Sequence, residues 1–227
     1  MIKINHYGRL GNNLLQDIGC SILAKKHDLY VQNYKKNYDK IKLNLYQGSR
    51  VINDNYITIT DDNVDEILQK KEMHCGLESS TYFQTKFFVT NFKNEIQNHF
   101  LNLNDNKKEG VFVHVRLDDA ASKNPGIPYY EMCLNKLNPK FGYVSSDTLH
   151  HPMIYHLCQK YNLSMYENTP ENTILFAKDF ENIILSGGTF SWWIGFLSQK
   201  SNVFYPKNYL DWHGDIFVYN NWNGISC

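Results

Sequence analysis

The segment VFVHVRLDD, Val111–Asp119, decides how the rest of the chain is read. Its first six residues alternate as a strand does. Val111, Val113 and Val115 point one way, and Phe112, His114 and Arg116 the other. The strand ends at Arg116, with the carboxylates of Asp118 and Asp119 just beyond. Downstream, the pattern predicts a helix over Tyr129–Leu137, a strand over Phe141–Ser145 and a helix over His151–Tyr161. A helix at Glu171–Asp179, a buried strand at Asn182–Ser186, a helix at Ser191–Gln199 and a strand at Asn202–Tyr205 complete this half. Strands alternating with helices of about ten residues imply βαβ units and a parallel sheet.

Upstream, Ile2–His6 reads as a strand, followed by the turn Gly8-Arg-Leu-Gly11. A helix over Asn12–Lys26 comes next, with Leu14, Leu15, Ile18, Ile22 and Leu23 on one face at spacings of three and four. A strand is expected near Asp28–Gln32, extended chain at Val51–Ile52 and Tyr56–Thr60, and helix at Val64–Lys71 and Phe92–Leu101. The stretch NLNDNKKEG, Asn102–Gly110, has the polar, Gly-ended composition of a linker. The fold class expected is α/β: two Rossmann-like lobes with mostly parallel sheets, residues 1–105 and 106–227, and a cleft between them.

Bulk properties exclude several classes. Lys+Arg and Asp+Glu both number 23 in 227 residues, so the formal net charge is zero. A dedicated nucleic-acid binder usually carries a basic excess, and a membrane-surface protein a polybasic run. No stretch reaches the ~20 apolar residues of a transmembrane helix, and MIKINHYGRLGNN lacks a secretory apolar core. A cytoplasmic location is therefore expected. The five cysteines are dispersed with no C-x-x-C spacing, which reads as reduced thiols.

Four short blocks carry chemistry. Gly8 and Gly11 let a backbone turn sharply, and the helix start after them favours an anion; a tight βα turn explains the pair equally well. His114 and Arg116 share a face at the carboxyl end of a strand, where open α/β sheets place ligands. Arg offers a forked, permanently charged donor suited to phosphate, and an Arg–Asp ion pair closing a loop is the other reading. Asp147 follows Tyr143-Val-Ser-Ser and either accepts from a guanine ring or caps the next helix. In Ser186-Gly-Gly-Thr-Phe-Ser-Trp-Trp193 a buried strand runs into bare backbone, then hydroxyls, then a helix. That is the form of a phosphate cradle, with Ser191 as helix cap and the tryptophans as core also accommodated. There is no D-x-D, H-E-x-x-H, Walker A or G-x-S-x-G motif.

In this order, G-R-L-G-N-N, H-V-R-L-D-D, S-S-D and G-T-F-S-W-W resemble the superfamily of α-1,2-, α-1,6- and protein O-fucosyltransferases, spanning residues 8 to 193. The resemblance implies a GT-B glycosyltransferase using GDP-fucose as donor, a glycan as acceptor and no metal or other cofactor. It implies that Arg116 grips the β-phosphate, His114 contacts the donor beside it and Asp147 reads the guanine. Thr189, Phe190 and Ser191 would line the diphosphate site, while Gly11 and Asn12 close over the sugar. The family pattern H-x-R-R-G-D departs here at Leu117 and Asp118. For the base that takes the acceptor proton, Asp119, Asp118 and His6 are the candidates, with Asp119 first. Alternatives are the same chemistry with GDP-rhamnose, UDP-xylose or UDP-glucose, or a non-catalytic carbohydrate-binding protein.

Overall fold

The computed structural model describes residues 1–35, 38–101, 106–119, 121–207 and 216–226. The chain divides into two compact units, Met1–Asn102 with Gly214–Ile216, and Leu103–His213 with Phe217–Cys227.

The first unit runs β1 (Ile2–Ile4), α1 (Leu10–His27), β2 (Val31–Gln32), β3 (Tyr56–Ile59), α2 (Val64–Gln69), β4 (Gly76–Ser79), α3 (Lys86–Asn91) and α4 (Lys93–Asn98). Its strands form a parallel sheet in the order β2-β1-β4-β3. The central helix α1 is buried almost all round, not on one face: Leu14, Leu15, Ile18 and Leu23 are joined inside by Gln16, Asp17 and Ser21. Such polar groups are tolerated in a core only when they are hydrogen-bonded. Ser21 meets this condition by accepting from the Tyr46 N–H at 2.8 Å and pairing with His99 Nε2 at 2.8 Å.

The second unit runs β5 (Lys108–Val115), α5 (Ile127–Leu137), β6 (Gly142–Ser146), α6 (Pro152–Tyr161), β7 (Leu163–Met165), α7 (Pro170–Ala177), β8 (Phe180–Ile184), α8 (Thr189–Leu197), β9 (Asn202–Pro206) and β10 (Asn223–Ile225). The sheet is parallel throughout, ordered β10-β9-β8-β5-β6-β7. Both faces of β5 are covered. Its valines pack with Tyr129, Tyr130, Leu134, Ile154 and Leu157, while Phe112 meets Tyr166, Phe176 and Phe180. The chain leaves β5 toward β6 and β7, then returns to its other side with β8, β9 and β10. The direction of winding therefore reverses between β5 and β8.

Two expectations need correction. Residues 108–110 are strand, not linker: the Lys108 N–H donates to the Asp179 carbonyl at 2.7 Å. A register shift between Lys108 and Val111, with Gly110 at φ +95, carries β5 back past its apolar run. The other residues of that segment up to Asp105 lie outside the described residues. Val51–Ile52 is not a strand, and Val51 is exposed. Cys20, Cys75, Cys133 and Cys158 are thiols outside any disulfide; Cys227 lies outside the described residues.

Candidate functional site

Open α/β sheets bind ligands at the carboxyl ends of strands where the winding reverses. In the second unit that place is the β5–β8 edge, and Arg116 stands there, one residue past β5. Across from it β8 runs through Leu185 and Ser186 into Gly187 and Gly188, all buried. The two sides touch. A Cβ on residue 188 would lie 2.5 Å from Arg116 Nη1, and Gly188 holds φ +98, ψ 158, a conformation open to glycine alone.

Gly188 also starts α8, where no side chain caps the helix. This corrects the capping reading of Ser191. The glycine lets the helix begin earlier, so Ser191 sits inside the first turn. There its Oγ accepts from the Ser186 N–H at 3.2 Å and pairs with His114 Nδ1 at 2.5 Å. His114 is buried with its ring against Phe190, and burial followed by the nearby Arg116 charge pushes its pKa down to about 3. It is therefore neutral at physiological pH. The pair ties the end of β5 to the start of α8.

Arg116 Nη2 donates to Asp119 Oδ1 at 3.0 Å, in an ion pair whose aspartate side chain is 50% exposed. Exposed pairs contribute about 0–1 kcal/mol. The arginine side chain is itself only 17% exposed.

Asp147, exposed at the end of β6, accepts the Leu117 N–H at 2.7 Å. Asp147 follows β6 directly and caps no helix, since the side chain at the start of α6 is that of His151. Leu117, where the family pattern has its second Arg, is 5% exposed within the valine–tyrosine core. One oxygen each from Asp118, Asp119 and Asp147 come within 4.8 Å of one another, the group among the described residues best placed to hold a cation. The residue spacing gave no sign of this cluster, because it joins two strand ends. Thr189 is buried at the first position of α8, and Trp192 and Trp193 are wholly buried.

The fold is similar to that of Arabidopsis thaliana FUT1. The FUT1 structure is of a point mutant in complex with GDP; it matches at 12% identity and a TM-score of 0.51, over 91% of this chain and 71% of that one. No family model and no curated protein matches the sequence. The FUT1 likeness and the two parallel sheets make the fold class α/β of the GT-B type.

The remaining expected residues belong to the first unit. Of the glycines in the first turn, only Gly8 has positive φ, +83. Gly11 is buried within α1, and Asn12 Oδ1 accepts from Gln84 Nε2 at 2.9 Å. His6 follows β1, and its Nε2 lies 2.6 Å from Oδ1 of the fully buried Asp17. Sequence reading passed over Asp17; its one signal is a carboxylate set between Leu14 and Ile18 in an apolar helix.

Proposed function

We propose that this chain is a glycosyltransferase that moves L-fucose from GDP-fucose to a glycan hydroxyl without a metal ion. The observation that carries the reading is the guanidinium of Arg116 against Gly188 at the uncapped start of α8, on the edge where the sheet reverses. In this reading Arg116 and the backbone N–H groups around 188–191 take up the charge that builds on the departing diphosphate. Such preorganised donors usually supply the largest catalytic term, about 10²–10³ in rate for each one removed.

Asp147 reads the guanine ring N–H and amino group. Thr189 and Phe190 line the diphosphate site, and His114 and Ser191 position it through their mutual hydrogen bond. Asp119 is assigned as the counter-charge that orients Arg116 until donor arrives, through its 3.0 Å ion pair with the guanidinium. The FUT1 structure contains GDP, which agrees with a guanine nucleotide here.

The test is incubation with GDP-fucose, GDP-rhamnose, UDP-xylose and UDP-glucose, with sugar release and transfer followed by mass spectrometry. Turnover of GDP-fucose above the others is expected. Glycan binding with no nucleotide binding and no turnover would instead make the chain a lectin-like protein.

A further inference from the structure

The loop that leaves β5 is tied back to the strand it leaves. Val115, paired with Ser146, is the last residue of β5 in register with β6. The peptide that joins Arg116 to Leu117 lies just past that pair, and both of its polar groups still need partners. Side chains supply them. Asp147 Oδ1 accepts the Leu117 N–H at 2.7 Å, and Asn124 Nδ2 donates to the Arg116 carbonyl at 2.8 Å.

Each polar atom of the Asn124 amide is used. Nδ2 also donates to the Tyr130 hydroxyl oxygen at 3.2 Å, and Oδ1 accepts the Gly126 N–H at 2.8 Å. Tyr130 is wholly buried in the first turn of α5, within the cluster that packs on the β5 valines. Its neighbour Tyr129 donates to the Leu185 carbonyl at 2.7 Å, on the β8 side of the same edge. The amide therefore joins the end of β5 to a core that also holds the strand leading to Gly188.

A peptide unit is planar, so gripping its carbonyl and its N–H fixes the orientation of the whole unit. With β5 holding the chain before Arg116, the direction of its Cα–Cβ bond is set on both sides. Groups that bind or react are held in place by such supporting hydrogen bonds. Resting on the reading of Arg116 as the grip on the donor diphosphate, we infer that Asn124 is its positioning residue: with Asp147 it clamps the Arg116–Leu117 peptide and sets the direction in which the guanidinium leaves β5. An ionised aspartate of the same shape has no donor for the Arg116 carbonyl.

The experiment is a calorimetric cycle on the full chain. GDP is titrated into the parent, Asn124→Ala, Arg116→Ala and the double variant, and the urea midpoint of each is measured on the same preparations. Asn124→Ala is expected to weaken GDP binding about tenfold, the scale of one hydrogen-bond partner removed. In the Arg116→Ala background, with no guanidinium to aim, the same substitution is expected to change affinity by less than about twofold. A residue that merely shapes the loop would give the same loss in both backgrounds. Asn124→Asp keeps the acceptor for the Gly126 N–H and is expected to repeat the pattern; it carries the test if Asn124→Ala does not fold. GDP affinity within about twofold of the parent in these variants, or an equal loss with and without Arg116, would overturn this inference and leave the Arg116 reading standing. Full GDP binding by Arg116→Ala, or none by the parent chain, would overturn the reading on which it rests.

Discussion

Arg116 and Gly188 occupy one place. The guanidinium nitrogen Nη1 fills the space where any other residue at 188 would put its Cβ, 2.5 Å away. The glycine thus serves the guanidinium twice, by making room for it and by starting α8 beside it. A side chain at 188 would strain the backbone at φ +98 and push the guanidinium aside.

Gly188→Ala is therefore expected to act on both stability and ligand binding. Leaving a glycine-only conformation costs about 1–3 kcal/mol, to be read as a lower midpoint in urea. The displaced guanidinium is expected to weaken GDP binding at least tenfold by calorimetry. A variant that keeps its GDP affinity would separate Arg116 from the ligand.

Ser191→Ala removes the acceptor of the Ser186 N–H and the partner of His114 in a buried site. Leaving buried polar groups unsatisfied costs about 1–3 kcal/mol. Ser191→Thr, which keeps a hydroxyl, is expected to lose less, and equal losses for the two would show that the hydroxyl carries none of the effect.

The buried imidazole makes stability fall in acid. His114 is held down to about 3 from an ordinary 6.5, so below 6.5 the unfolded chain binds a proton that the folded chain refuses. Its contribution is whole above pH 6.5 and is lost as pH falls toward 3, at up to about 1.4 kcal/mol per pH unit. His27 and His99, lowered chiefly by burial, act in the same direction. Urea unfolding at pH 7.5 and 5.5 is expected to show the lower stability at 5.5; equal or greater stability there would contradict a neutral buried His114.

The acidic cluster gives a test of metal independence. Asp119 is held by Arg116 and Asp147 by the Leu117 N–H, so both carboxylates already have work in the protein. Turnover and GDP binding are expected to be unchanged in EDTA. Activity lost in EDTA and regained with Mg²⁺ or Mn²⁺ would make the cluster a metal site.

What the sequence made legible was the strongly apolar part. The strands around Val111–Val115 and Ile183–Ile184, the helices between them and the place of Arg116 at a strand end all follow from periodicity. The strands β4, β7 and β10 were not legible, because three or four half-polar residues such as Gly76-Leu-Glu-Ser79 carry no period; neighbouring strands make them strands. The helix α3 was hidden likewise, since its start depends on Thr85 Oγ accepting the Phe88 N–H. In the site, Arg116 was readable and its contact with Gly188 was not. The His6–Asp17 pair, eleven residues apart, depends on how α1 rises from β1, which no local pattern records.

The most direct measurement of the central claim is a calorimetric titration of GDP and UDP, in EDTA, into the parent chain and into Arg116→Ala. Saturable GDP binding tighter than UDP, and weakened at least tenfold by the substitution, is the result this account predicts. GDP binding that Arg116→Ala leaves intact, or no nucleotide binding by the parent chain, would contradict it.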